Sequence, residues 1–196
     1  PRSSSAASDV YKRQVLANDC QQLGGAIDSA AADKAANCIE ICSAHGLPIL
    51  SFVDTPGFMV GPDSEKEGAF RRMGELFKHG ARIKTPLVGI ILRRGYGLGA
   101  MAMMGGSFVD PIYSASWPNG EFGGMGLEGY VKLGFKKELE AEETEEKKKA
   151  LFDKLVARMY EVGKATEAAA HLEMDAVIDP ASTRETILKA FKSFGA

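Results

Sequence analysis

The groups best placed to do chemistry in this chain are backbone amides rather than side chains. RRGYGLGAMAMMGG, Arg93 to Gly106, follows the apolar run PLVGIIL. Glycine after a buried strand lets a backbone approach something closely. A turn that then enters a helix exposes N–H groups with no intrahelical acceptor, in the positive field of the helix dipole. Such groups stabilise a developing enolate or tetrahedral oxyanion, and losing one donor costs ~3 kcal/mol in the barrier. The amides of Leu98, Gly99 and Ala100 fit this position. A second set, from Gly57 and Phe58, is expected at the turn DTPGF. Two adjacent parallel strands would carry both turns to one edge of a sheet, as a two-donor oxyanion hole.

Other chemistries fit less well. Gly95, Gly97 and Ala100 satisfy the relaxed dinucleotide fingerprint G-x-G-x-x-A, a minor NAD-binding alternative. However, AMAMM makes at most two helical turns before Gly105 and Gly106. Glu121, at the right separation for a ribose acid, stands in a glycine loop. No Gly-Lys-Ser/Thr occurs, so a P-loop is excluded. Cys38, Cys42 and His45 share one helix face and could join Cys20 at a metal, but zinc clusters favour C-x-x-C knuckles, and no metal is expected. His45 reads as a helix C-terminal residue, and His79 and His171 as surface groups. Ser107 lacks a nucleophile-elbow pattern. Arg93 and Arg94 either steer phosphates or are solvated strand-end residues. Met103 and Met104 read as core filling.

These turns need elements to hold them. VLAN (15–18) reads as the end of a strand, and a helix is expected from about Ala31 to His45, stopped by Gly46 and Pro48. LPILSFV (47–53) and PLVGIIL (86–92) are continuous apolar runs, as expected of parallel strands buried on both faces. A helix over about Ser64 to Ile83 lies between them. PIYSASW reads as a short strand and GEFGGMGLEG as a second glycine-rich loop. The remainder is helical: Leu151, Phe152, Leu155, Val156, Met159 and Tyr160 make an apolar stripe. KKELEAEETEEKKK before it reads as a solvated helix or hinge with pairs such as Glu143–Lys147. Residues 1–14, PRSSSAASDVYKRQ, read as a non-native or disordered tail, leaving 15–196 as one α/β domain.

Composition sets the outer limits. The 196 residues, 45% hydrophobic, suffice for one well-buried domain. A net charge of −2 argues against a nucleic-acid groove. No stretch is apolar for long enough to suggest a membrane span. Three cysteines suit a reducing cytoplasm better than a disulfide framework.

GYGLGAMAMMGGSFVDPIYSASWPNGEFGG resembles the crotonase-like (ClpP/crotonase) ββα spiral. Within that superfamily VLAND…LGGAIDSAAADKAA, LPILSFVDTPGFMVG, LRRGYGLGAMAM, WPNGEFGGMGLEG and DAVIDPASTR resemble the carboxyltransferase (beta) subunit of biotin-dependent acyl-CoA carboxylases of the acetyl-/propionyl-CoA type. The similarity runs from about Val15 to Arg184 and corresponds to the second of the family's two crotonase-like halves.

The resemblance implies transfer of a carboxyl group from carboxybiotin to the α-carbon of an acyl-CoA, with backbone amides holding the oxyanions. It puts Leu98, Gly99, Ala100, Gly57 and Phe58 at the catalytic site, with Gly97, Met101, Gly124, Met125 and Gly126 along the substrate. Met101, at the pocket floor, suggests a small apolar acyl group. The glutamates of enoyl-CoA hydratases are replaced by Met103 and Gly126, which disfavours hydration. The common Y-G-G-A turn reads Y-G-L-G, so two of the three amides of Leu98, Gly99 and Ala100 can face the hole. Implied partners are a biotin carboxyl carrier protein, biotin carboxylase, the N-terminal carboxyltransferase half and further copies of the chain. No Met-Lys dipeptide occurs, so biotin is expected on a separate carrier. The chain is expected to be truncated at its N-terminus, to supply the biotin side and to be inactive alone. The alternative is a non-catalytic binding or oligomerisation domain of the same fold.

Overall fold

The computed structural model of the chain describes residues 13–195. Six strands form one sheet: β1 (Gln14–Ala17), β2 (Ile49–Thr55), β3 (Leu87–Tyr96), β4 (Tyr113–Ser116), β5 (Glu121–Gly123) and β6 (Ala176–Val177). The helices in chain order are α1 (Ser29–Ala44), α2 (Pro62–Lys66), α3 (Ala69–Gly80), α4 (Gly97–Met103), α5 (Leu127–Gly134), α6 (Lys136–Glu140), α7 (Glu145–Val162), α8 (Ala165–Ala170) and α9 (Thr183–Ser193). The strand order is β1-β2-β3-β4-β6, and β5 pairs with the far end of β3. All of these pairings are parallel.

Strands buried on both faces explain the apolar runs. Ile49 and Leu87 pack with Ala35, Ala36 and Ile39 of α1 and Leu76 of α3 on one side. Leu50, Val88, Ile90 and Ala115 pack against Ala190 and Phe191 of α9 on the other. α1 starts at Ser29 because the Asp28 carboxylate accepts from the Ala31 amide at 2.8 Å, and His45 is its C-cap.

Several boundaries differ from the sequence reading. Residues 1–12 of the expected tail lie outside the described residues, but Gln14 opens β1 opposite Ile49. The Arg13 guanidinium lies 4.7 Å from the Phe191 ring centroid. The helix expected over 64–83 is two, α2 and α3, separated at Gly68, whose φ of 74° is left-handed. β2 runs on to Thr55 and β3 to Tyr96, so Arg93 and Arg94 belong to a strand. The loop expected from Gly120 contains β5 and the start of α5, leaving only Gly124–Gly126 as the turn. Parallel pairing hides there because β5 has one buried side chain, Phe122, among glycines. The charged segment divides into α6 and the first turn of α7, and Lys147 Nζ meets Glu143 Oε2 at 2.8 Å. The apolar stripe of α7 is only half-buried.

Candidate active site

Three turns meet at the C-terminal ends of β2, β3 and β5. The first two are joined backbone to backbone. A β-carbon on Gly99 would lie 2.7 Å from the Gly57 carbonyl carbon and 2.9 Å from the Phe58 nitrogen. The third joins through Gly97, with φ of 60°, where a β-carbon would lie 2.7 Å from the Gly124 carbonyl oxygen. Glycine is required at both positions, for space at Gly99 and for space and conformation at Gly97.

The amides can be assigned one by one. Ile27 pairs with Phe58 in a parallel bridge: Ile27 N–H donates to the Gly57 carbonyl at 3.0 Å, and Met59 N–H to the Ile27 carbonyl at 2.8 Å. This leaves the Phe58 N–H turned away from Ile27 and without an acceptor among the described residues. The Gly57 N–H, expected to be free, instead donates to the Thr55 hydroxyl at 3.1 Å, so on this turn the unpaired amide is that of Phe58. On the other turn Tyr96 is the N-cap of α4. Its carbonyl takes the first intrahelical bond, from Ala100, so the expected Ala100 donor is also consumed. Leu98 and Gly99 keep free N–H groups. Phe58, Leu98 and Gly99 are therefore the amides of these two turns left without an acceptor among the described residues.

Both arginines are paired rather than left as open phosphate ligands, although half of the Arg93 side chain stays exposed. The register between β2 and β3 slips after Val53–Ile91 and resumes at Thr55–Gly95. The bulge brings Asp54 against both. Asp54 Oδ2 accepts from Arg93 Nη2 at 2.9 Å, and Oδ1 from Arg94 Nε at 2.8 Å and the Arg94 amide at 3.3 Å. The exposed Cys20 donates from Sγ to Oδ2 at 3.1 Å. Burial pushes the Asp54 carboxyl up, but the bonds from Arg93, Arg94 and Cys20 outweigh it and hold the pKa at about 2. Burial and then Asp54 push the Cys20 thiol up, away from nucleophilic character.

A second unforeseen pair stands behind α4. The hydroxyl of buried Tyr96 donates to Glu121 Oε2 at 2.7 Å. Burial, then the Glu121 carboxylate, pushes this phenol up. Glu121 is thereby tied into the sheet and is not a ribose ligand. Both pairs could have been sought in the sequence as charged or phenolic residues at the ends of adjacent apolar runs.

Two cavities flank the turns. One of about 460 Å³ is walled by Phe122, Gly124, Met125, Leu127, Met159 and Val162. The other, about 490 Å³, lies between β1 and α1, against Ala17, Gly25, Ile27, Ala35 and Met103. Met101 lines neither of these two cavities, and Gly126 serves as the N-cap of α5. The hydroxyl of Ser107 accepts from the Val109 amide at 3.4 Å, and the His171 ring meets the Glu167 carbonyl at 2.8 Å, both local loop contacts.

The sequence pattern of the carboxyl transferase domain matches residues 12–194. The chain is 34% identical over 177 residues to the biotin-dependent acetyl-/propionyl-coenzyme A carboxylase beta6 subunit of Mycobacterium bovis, which covers 90% of this chain and 37% of that one. It is also 34% identical over 181 residues to the propionyl-CoA carboxylase beta chain of Saccharopolyspora erythraea, covering 91% and 33%. Among solved structures, a single-chain, multi-domain long-chain acyl-CoA carboxylase superposes with a TM-score of 0.79 at 52% identity, over 90% of this chain and 17% of that chain. The transcarboxylase 12S structure, a hexamer assembly with methylmalonyl-coenzyme A bound, gives a TM-score of 0.83 at 29% identity, over 92% and 34%. The chain spans about a third of the length of the curated relatives it matches.

Proposed function

Since the chain belongs to the carboxyl transferase family and has the crotonase-like α/β fold, we propose that it is the carboxyltransferase part of a biotin-dependent acyl-CoA carboxylase. The observation that carries this reading is the contact of Gly99 with Gly57 and Phe58, which brings the free amides of Phe58, Leu98 and Gly99 together. A neutral donor set suits a carbonyl-type oxygen that gains charge during reaction. It suits a phosphate poorly, because Arg93 and Arg94 are both closed on Asp54.

A thioester oxygen or the ureido oxygen of biotin meets that requirement, so the residues present fit the cofactor. Carboxybiotin, when bound, would supply the carboxyl group for the acyl-CoA α-carbon, and its released ureido nitrogen would take the α-proton. The chain's part is to hold oxygens through Phe58, Leu98 and Gly99 and to keep the turns in register. Met103 is buried core and Gly126 a helix cap, so neither offers the acid or base that hydration requires.

In this reading the chain supplies the biotin-side half and is inactive alone, in the cytoplasm. It works with a first carboxyltransferase half, a biotin carrier, a biotin carboxylase and further copies of itself. The test is carboxyl transfer between malonyl-CoA and free biotin, with and without the separately expressed first half of a relative. Transfer only with both halves is expected. Biotin methyl ester failing to shift any amide of residues 57–58 or 97–100, with no transfer in either arm, overturns the reading.

One observation favours a non-catalytic binding or oligomerisation domain: Leu133, Val162 and Leu172 leave large apolar side chains exposed. Self-association with no response to either substrate would support it.

A further inference from the structure

We infer that Arg94 is a positioning residue: by holding the turn Leu23–Gly25 on the sheet, it aims the amide of Phe58. The catalytic consequence rests on the carboxyl-transfer reading, whereas the structural part stands on the segment before α1.

That segment has little of its own to hold it. Leu23, Gly24 and Gly25 have φ of 50°, 62° and 89°, three left-handed residues in a row. Leucine is disfavoured in this region, and such a backbone persists only where its surroundings fix it. The Leu23 side chain does not fix it, being 56% exposed. The cavity of about 490 Å³ lies against Gly25, Ala26 and Ile27, so packing is open on that side.

The ties run instead to Asp54 and Arg94. Arg94 Nη2 donates to the Gly24 carbonyl at 2.7 Å, while Arg94 Nε donates to Asp54 Oδ1 at 2.8 Å. No backbone N–H among the described residues donates to the Gly24 carbonyl, so the guanidinium supplies its partner. The Asp54 amide donates to Asn18 Oδ1 at 3.2 Å, and a β-carbon on Gly25 would lie 2.4 Å from the Asp54 carbonyl oxygen. One planar guanidinium therefore spans the bulge and the turn, a geometry that a lysine ammonium cannot reproduce. Arg93 differs. Its bonds go to Asp54 Oδ2, its side chain is 51% exposed against 24% for Arg94, and the Gly24 carbonyl is left to Arg94.

Ile27 carries the effect to the site. It stands two residues beyond Gly25 and bonds to Gly57 and Met59, the bridge that turns the Phe58 N–H outward. A turn released from Arg94 lets Ile27 move toward the open cavity, and the bridge loosens with it.

The test compares Arg94→Met with Arg93→Met in the full chain. Each removes a partner of Asp54, but only the first removes the bond to Gly24. Amide exchange at Ile27 and Met59, relative to Ile39 in α1, is expected to rise at least about tenfold in Arg94→Met and less than about twofold in Arg93→Met. The Phe58 amide resonance should move in the first variant alone. Arg94→Lys keeps the charge and should still loosen the bridge. Equal effects of both methionine variants, no change in either, or wild-type exchange in Arg94→Lys overturns the inference. Should neither Arg94 variant fold, the wild-type chain decides: slowly exchanging Arg94 Nη2 protons support the tie to Gly24, and rapidly exchanging ones overturn it.

A second arm measures carboxyl transfer between malonyl-CoA and biotin with the first half of a relative present. A misaimed donor costs more as charge develops, so kcat should fall about tenfold or more, with KM for biotin changed much less. A loosened bridge with kcat unchanged overturns the positioning role and leaves the transfer reading intact. Absence of transfer in the wild-type mixture counts against the transfer reading alone, and the exchange arm still decides whether Arg94 holds the Phe58 turn.

Discussion

Gly99 stands over Gly57 so closely that a β-carbon on Gly99 would lie 2.8 Å from the Gly57 α-carbon. Both contacting groups are backbone, held by the ends of two neighbouring strands, so neither can move aside as a side chain would. Gly99→Ala is expected to destabilise the fold by about 1–3 kcal/mol, as overpacking does. It should also spread the amides of Phe58 and Gly99 apart. Urea unfolding reads the first effect, and loss of amide shifts with biotin methyl ester the second. An alanine variant of wild-type stability with those shifts intact would remove the basis for the two-turn site.

Asp54 makes stability acid-sensitive in a defined window. Its carboxyl titrates at about 2 in the folded chain, below the ordinary value of 3.8. A depressed folded pKa gives stability that is complete above the unfolded value and lost as pH falls from about 4 toward 2. The contribution is about 2 kcal/mol. Asp54→Asn should lose stability at neutral pH, leaving Arg93 and Arg94 without their carboxylate, and should flatten the acid limb of the curve. Denaturant midpoints between pH 2 and 7 check this. An equally steep acid limb in the variant would show that other carboxylates dominate.

Helix glycines separate backbone entropy from packing. A β-carbon on Gly74, inside α3, would meet nothing within 4 Å, whereas one on Gly80 would lie 2.4 Å from the Gly105 carbonyl oxygen. Gly74→Ala should raise stability by about 0.5–1 kcal/mol. Gly80→Ala should lower it, by forcing α3 away from the end of α4. Thermal melts of the two variants should shift in opposite directions, and a common direction would contradict the packing of α3 on Gly105.

Much of this architecture is legible in the sequence because burial on both faces leaves an unmistakable apolar run. LPILSFV and PLVGIIL announce parallel strands, and parallel neighbours carry their turns to one edge. The segments just beyond these runs are less legible. Arg93 and Arg94 look like the exposed end of a strand, yet the bulge opposite Asp54 satisfies their charge and lets β3 continue to Tyr96. That continuation fixes the cap of α4, and so shifts the free amides from Ala100 toward Leu98 and Gly99. Likewise, Thr55 looks like part of the turn, but its buried hydroxyl takes the Gly57 amide. The first correction comes from partners brought close by register, which no local pattern encodes, whereas the second is a contact between residues two apart in the turn itself.

The Tyr96–Glu121 bond ties the strand that feeds α4 to the strand that feeds the Gly124 loop. Tyr96→Phe removes one oxygen and leaves Glu121 without its donor. A hydrogen bond to a charged group contributes about 1.5–3 kcal/mol, and a loss toward the lower end is expected because Glu121 is half-exposed. The raised phenol pKa has the opposite sign to that of Asp54. Its stabilisation is complete below the ordinary tyrosine value near pH 10 and is lost as pH rises beyond it. The alkaline limb of the wild-type curve should therefore be steeper than that of Tyr96→Phe. Glu121→Gln keeps an acceptor for the phenol and should retain more stability than Glu121→Ala. If the tie positions the turn, Tyr96→Phe should also speed amide hydrogen exchange at Leu98 and Gly99 more than at α1, whose contacts it leaves untouched. Uniform acceleration across both helices would mean that the bond contributes only to global stability.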